Sequence, residues 1–248
     1  MESGIHDSSD PWTLTQTEFP VPSSPSVFQG VARFTHVCIY DRPGTLRYTQ
    51  PLALTTRSTP VSMPRGLPAM AADLHTLLLA AGLRRPVMIV AHSFGGLIDR
   101  YFAQTYRKQV LGMVLVDAFD PSIKSLFGPL WPRYEHLLNF PGTALDNQPG
   151  WETIDIDGAL RAVQRARPLP RMPLAVISKT KPFALQPGFP AVIARKLEHV
   201  WPITQDRMVS LEPQTPHVLA TGSDHYIQLH DPDLVTSVIR LIFNRIRR

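Results

Sequence analysis

Prolines punctuate this chain almost throughout, yet of its 25 only Pro86 falls between residues 69 and 120. Proline lacks a backbone donor and breaks helix interiors, so regular structure can run longest in that window. Residues 68–82 place Met70, Leu74, Leu77, Leu78 and Ala81 along one helical face and stop at Gly82. PVMIVA (86–91) is an apolar run of strand length. Residues 94–107 return to helical spacing through Phe94, Leu97, Ile98, Tyr101 and Phe102, and LGMVLVDA (111–118) is a second buried-type strand. Continuous apolar strands alternating with amphipathic helices predict an α/β chain whose parallel sheet is covered on both faces.

The alternation extends outward. HVCIYD (36–41), LAVIS (174–178) and HVLAT (217–221) read as further strands. A last helix should begin with Asp231 as N-cap and Pro232 at its first position, then run through Leu234, Val235, Val238, Leu241 and Ile242. Residues 121–170 break the pattern with prolines, the aromatics Phe127, Trp131, Tyr134, Phe140 and Trp151, and a helix around 157–167. A connection that long between two sheet strands predicts an inserted cap or lid on a core made of 1–120 and 171–248.

Composition removes several classes of function. The net charge of +5 comes from scattered Lys and Arg, apart from the closing NRIRR, where cations complement the dipole of a terminal helix. No basic, aromatic-interleaved face points to nucleic acid. The one cysteine, Cys38, rules out a disulfide framework and a thiolate zinc site, and its apolar neighbours predict a core position. There is no HExxH or other metal-ligand spacing, and neither a metal nor a cofactor is expected. No apolar run reaches membrane-spanning length, and MESGIHDSSDPW lacks the apolar core of a signal peptide, so a cytoplasmic protein is expected.

The chemistry centres on VMIVAHSFGGLIDRYFA (87–103), where a strand ends at Ala91, a helix begins near Phe94, and Ser93 occupies the turn between them. Small-x-Ser-x-Gly, here Ala91-His92-Ser93-Phe94-Gly95, is the pattern of a nucleophile elbow. Small residues at 91 and 95 are needed because the turn brings helix and strand too close for larger ones. The serine hydroxyl is thereby held above the carboxyl end of the sheet. The His92 side chain is expected to point elsewhere.

With these residues in view, the sequence resembles the α/β-hydrolase fold enzymes over nearly its whole length. CIYDRPG (38–44) resembles the family's strand and turn before the elbow unit, GMVLVDA the strand after it, and GSDHYIQLHDPDLV (222–235) the segment that carries the histidine ahead of the last helix. The resemblance makes His225 the general-base candidate. Many members place the acid after the strand that here reads LAVIS, but Lys179, Thr180 and Lys181 follow it. The resemblance to lipases of the pancreatic type puts the acid one strand earlier, at Asp117, with Asp120, Asp224 and Asp206 as alternatives in that order. The oxyanion would be held by the backbone N–H of Phe94 and, if Glu2-Ser3-Gly4 ends the family's third strand, by that of Ile5. On that alignment the first two strands of the usual fold are missing, and a sheet of about six strands is expected.

The implied reaction is acyl transfer from a small, apolar, ester-like substrate through an acyl-enzyme. Thioester, lactone, amide and carbon–carbon hydrolysis use the same groups. A serine at the elbow argues against the dehalogenase and epoxide hydrolase branches, which use a carboxylate there. A non-catalytic binding or signalling protein on a hydrolase scaffold is the rival reading.

Overall fold

The computed structural model describes residues 1–14, 25–49, 51, 53–55, 61–141 and 148–247. In chain order its regular elements begin with α1 (Asp10–Thr13), α2 (Val27–Ala32), β1 (Leu46–Arg47), β2 (Ala53–Leu54), α3 (Leu67–Ala80), β3 (Val87–His92), α4 (Gly95–Thr105) and β4 (Val110–Val116). They continue with α5 (Ile123–Phe127), α6 (Trp131–Leu138), α7 (Ile156–Arg165), β5 (Leu174–Lys179), α8 (Ala191–Val209), β6 (His217–Ala220), α9 (Ile227–His230) and α10 (Pro232–Ile246). The main sheet is parallel in the order β3-β4-β5-β6, and β1 and β2 form a separate antiparallel pair.

The apolar strand runs are explained by their two faces. Val90, Val114, Val116, Ala175 and Ile177 pack with Val31 of α2 and Val235, Val238, Ile239 and Ile242 of α10. Their neighbours Ile89, Ala91, Met113, Leu115, Leu174 and Val176 point the other way, against Leu74 of α3, Phe102 of α4 and Met208 of α8. Side chains alternate across a strand, so a sheet buried on both faces needs an apolar residue at every position. Asp231 caps α10 as expected, its side chain accepting the Leu234 N–H at 3.2 Å.

Among the described residues the main sheet has four strands where about six were expected. Residues 1–3 lie beside β3 but pair only around Glu2, whose N–H reaches Val90 O at 2.8 Å and whose carbonyl takes the His92 N–H at 3.0 Å. The chain then leaves at Gly4. Residues 36–41 form no ladder, because only this short segment lies alongside, and their backbone takes a single hydrogen bond from it, Met1 N to Cys38 O at 2.8 Å. Cys38 is exposed, contrary to the core position expected for it. Val37 and Ile39 turn toward the α10 side of the sheet, and alternation sends the cysteine outward.

Helix α8 has no counterpart in the sequence reading. Pro190 precedes it and Pro202 lies inside it, yet Ile193, Leu197, Val200, Trp201, Thr204 and Met208 form a continuous buried face. Burial of that face outweighs the backbone bond that Pro202 cannot make. Among the described residues no helix is long and apolar enough to cross a membrane.

Candidate active site

Ser93 joins β3 to α4 with φ 52°, a left-handed conformation that lifts its side chain out of the chain path. The turn is pinned by Ser93 N–H to Val116 O (3.2 Å), Phe119 N–H to Ser93 O (2.8 Å) and Gly96 N–H to Ser93 O (3.0 Å). Gly95 is required by close approach, since a Cβ there would lie 2.6 Å from Ser3 O and 3.0 Å from Glu2 O. Gly96 has the same constraint against Ala118 Cβ at 2.6 Å.

Asp117 follows β4, is fully buried and also has positive φ, 41°. One carboxylate oxygen accepts the Lys179 N–H at 3.1 Å. The other lies 2.6 Å from His225 Nδ1. A carboxylate can only accept, so Nδ1 carries the proton and Nε2 of neutral His225 is left as an acceptor. Lys179, standing where many family members have the acid, sends Nζ away to Glu198 at 2.7 Å and over the Phe183 ring at 4.3 Å.

The alternative acids have other partners. Asp120 pairs with buried Arg100 at 2.6 Å, Asp224 with His230 at 3.0 Å, and the exposed Asp206 lies 3.7 Å from His217. Of the four carboxylates considered, Asp117 is the one brought to His225.

The His225 ring sits among Phe183 (4.7 Å between centroids), Trp201 (5.5 Å), Tyr226 (5.7 Å) and His92 (4.5 Å). His92 therefore does not point elsewhere. It is buried against the His225 ring, and its Nε2 donates to the His225 carbonyl at 2.9 Å. Burial first, then the nearby His225, hold its pKa well below the usual imidazole value, so the ring is neutral and serves as a fixed donor.

The turn after Glu2-Ser3 lies against the serine. A Cβ on Gly4 would be 3.2 Å from Ser93 Cβ and 3.1 Å from both His92 Nδ1 and an Asp7 carboxylate oxygen. Among the described residues no backbone carbonyl accepts the N–H of Ile5 or of Phe94. Asp7, just beyond, accepts from Tyr48 Oη (2.8 Å) and Tyr226 Oη (3.2 Å). Burial raises its pKa to about 6 against the lowering effect of those bonds.

Of the aromatics of residues 121–170, Phe127 stacks on Tyr134 at 4.4 Å and meets Trp131 edge-on at 6.2 Å, while Phe140 and Trp151 lie against the His6 ring at 5.3 Å and 4.5 Å. The rings against His225, Phe183 and Trp201, come instead from the chain after β5.

The family model described as the alpha/beta hydrolase fold matches residues 21–229. The chain belongs to the alpha/beta hydrolase fold family. A relative from Bacillus subtilis (strain 168), the uncharacterized protein YqjL, is 26% identical over 202 residues, covering 79% of this chain and 68% of its own. Among solved structures, a thermophilic esterase from Thermogutta terrifontis superposes with a TM-score of 0.53 at 18% identity, covering 93% of this hydrolase-family chain and 88% of the esterase. MenH from S. aureus superposes with a TM-score of 0.55 at 12% identity over 100% and 93% of the two chains. At these identities the two superpositions speak to the fold, and they agree with the sheet and helix order of this hydrolase.

Proposed function

We propose that this hydrolase cleaves a carboxylic ester, or a closely related acyl bond, of a small apolar substrate through Ser93, His225 and Asp117. The observation that carries the reading is the 2.6 Å contact between His225 Nδ1 and buried Asp117, at the same sheet edge as the left-handed Ser93. His225 Nε2 takes the Ser93 proton as Oγ attacks the carbonyl carbon. Asp117 keeps the imidazole in the tautomer with Nε2 free and stabilises it once charged. The oxyanion is met by the N–H groups of Phe94 and Ile5, with the amino-terminal end of α4 adding its positive dipole. The imidazolium protonates the leaving alcohol. Water then attacks the acyl-enzyme, giving its proton to His225, and Ser93 recovers its own as the acid departs.

Phe183 and Trp201 give the apolar wall beside the base, and residues 121–170 act as the cap over it. The test combines a fluorophosphonate probe with 4-nitrophenyl esters of increasing chain length. Expected are covalent labelling of wild type at Ser93, turnover that favours apolar acyl groups, and loss of both in Ser93→Ala. Unlabelled wild type, or hydrolysis surviving in Ser93→Ala, would sink the reading.

A further inference from the structure

Arg42 is a buried guanidinium with all five N–H donors engaged. Its Nε reaches Glu152 Oε1 at 2.7 Å and Nη2 reaches Glu152 Oε2 at 2.9 Å. Nη1 bonds the Glu2 carboxylate and, at 3.1 Å, the Ser3 carbonyl, while Nη2 also donates to the Gly4 carbonyl at 2.7 Å. The side chains of Arg42, Glu2 and Glu152 are 5%, 3% and 1% exposed. Taking such charges out of water is costly, and a packed apolar cluster would serve stability as well or better. The arrangement therefore calls for a reason beyond holding the fold.

The backbone atoms it grips supply one. Gly4 C=O and Ile5 N–H belong to the same peptide unit, and the cis bond among the described residues lies elsewhere, at Met63-Pro64. In a planar trans unit the two groups point in opposite directions, so fixing the carbonyl against Arg42 fixes the direction of the N–H. Donation to that carbonyl also polarises the amide and strengthens its N–H as a donor. The next peptide unit is held as well, because the His6 N–H donates to Glu152 Oε2 at 3.1 Å. His6 has positive φ, 62°, stacks on Trp151 at 4.5 Å and lies with Nε2 2.9 Å from Leu138 O. Both amide planes flanking Ile5 are thus set by the Arg42–Glu152 pair.

We infer that Arg42 and Glu152 are positioning residues that orient the Ile5 N–H toward the oxyanion, so that the segment at 148–156 completes the site across the chain; this rests on the hydrolase reading above. Neither touches substrate. Without the clamp the Gly4 carbonyl keeps only the long Asp7 N–H bond at 3.4 Å, too weak to fix the Gly4–Ile5 peptide, and one of two oxyanion donors is lost for much of the time.

The experiment uses Glu152→Gln and Arg42→Lys in the full chain. Gln keeps the volume of Glu but turns an amide NH₂ toward an Arg42 donor, and Lys cannot supply the fork that grips Glu152 and Gly4 together. Expected for both variants is a fall in kcat of roughly 10- to 100-fold with KM within about threefold, as for a donor that acts mainly in the transition state. The ³¹P resonance of the phosphonylated Ser93 should also move from its wild-type position, which a purely structural change elsewhere would not cause. Folded variants with wild-type kcat and an unmoved resonance, while wild type labels normally, would overturn the clamp and leave the hydrolase reading standing. Wild type that neither labels nor turns over ester overturns the hydrolase reading and the clamp with it. If the near-isosteric Glu152→Gln fails to fold, the cluster serves the fold rather than the turn, and the proposal is likewise overturned.

Discussion

The two sides of Ser93 are built in different ways. On one side, His225 and Asp117 stand at the carboxyl ends of parallel strands, and Asp117 is fixed by backbone bonds to the neighbouring strand, its N–H to Ile177 O at 2.7 Å and its carboxylate to Lys179 N–H. On the other, the turn at Gly4–Asp7 follows a segment that pairs with β3 only around Glu2; a single bridge to Leu46 of β1 holds its far end, with the Leu46 N–H on His6 O at 2.7 Å and the Ser8 N–H on Leu46 O at 3.1 Å, and buried charges from distant parts of the chain hold the peptides between. A sheet positions a side chain through repeated local bonds. A turn with only single bridges at its two ends needs individual side chains to fix the peptides between them, and each of those carries a desolvation cost.

The largest test of this contrast falls on the sheet-built side. In Asp117→Asn, Oδ1 can still accept the Lys179 N–H, and Asn tolerates the positive φ, so the fold should survive. The amide NH₂ then faces His225 Nδ1 and forces the proton onto Nε2, leaving no acceptor for the Ser93 proton. The expected loss in kcat is about 10,000-fold. Asp120→Asn, by comparison, should keep kcat within about tenfold but lower stability by roughly 3 kcal/mol, because it strands the buried Arg100. Steady-state kinetics and urea melts on the two proteins separate the cases, and an inactive but stable Asp120→Asn would reverse the assignment.

The next effect lies where the two sides touch. A methyl group on Gly95 would press on the backbone oxygens of Ser3 and Glu2, the base of the clamped turn. Gly95→Ala should cost about 1–3 kcal/mol in urea unfolding and slow ester hydrolysis by displacing the turn without touching the His225–Asp117 pair. Unchanged stability and rate would show that residues 1–3 yield freely, and the contrast between a fixed and a clamped side would fail.

The same contrast governs what could be read in advance. Ser93 was legible because its pattern is local: a buried strand, a tight turn with small residues, an amphipathic helix. His225 and Asp117 were singled out by the family resemblance, and their contact at 2.6 Å follows from the way strand ends of a parallel sheet converge. Arg42 and Glu152 are 110 residues apart, and nothing periodic links them. A single sequence shows an arginine in CIYDRPG and a glutamate after Trp151, not that they meet. His92 was misread because the elbow pattern fixes its place on the backbone but not where its ring packs. Helix α8, and with it Trp201, was hidden by Pro190 and Pro202, although its apolar spacing is helical throughout. The sheet was overcounted for a related reason: the apolar run at 36–41 has strand composition, but a ladder needs a partner of matching length.

The smallest expected effect concerns Asp7, which closes the clamped side. Its carboxyl is buried against Tyr48 and Tyr226, and its pKa rises to about 6 from an ordinary 3.8, chiefly through desolvation. A folded-state pKa above the unfolded value means that stability from this group is fully present below about pH 3.8 and is lost as pH rises through about 6. A shift of about two units corresponds to at most about 3 kcal/mol. His6 and His92, whose pKa values are lowered chiefly by burial, give slopes of the opposite sign, since their unfolded forms take up protons first as pH falls below 6.5. Absolute profiles therefore mix these terms, whereas the difference between wild type and Asp7→Asn isolates the carboxyl. Asn retains an oxygen for the Tyr48 hydroxyl and offers its NH₂ to that of Tyr226, so the turn keeps its contacts. In urea unfolding between pH 4 and pH 8, stability of wild type relative to Asp7→Asn should decline up to about pH 7 and then level off. A difference that stays flat would mean that Asp7 is solvated when ionised, and that the turn is a more open structure than the buried clamp beside it requires.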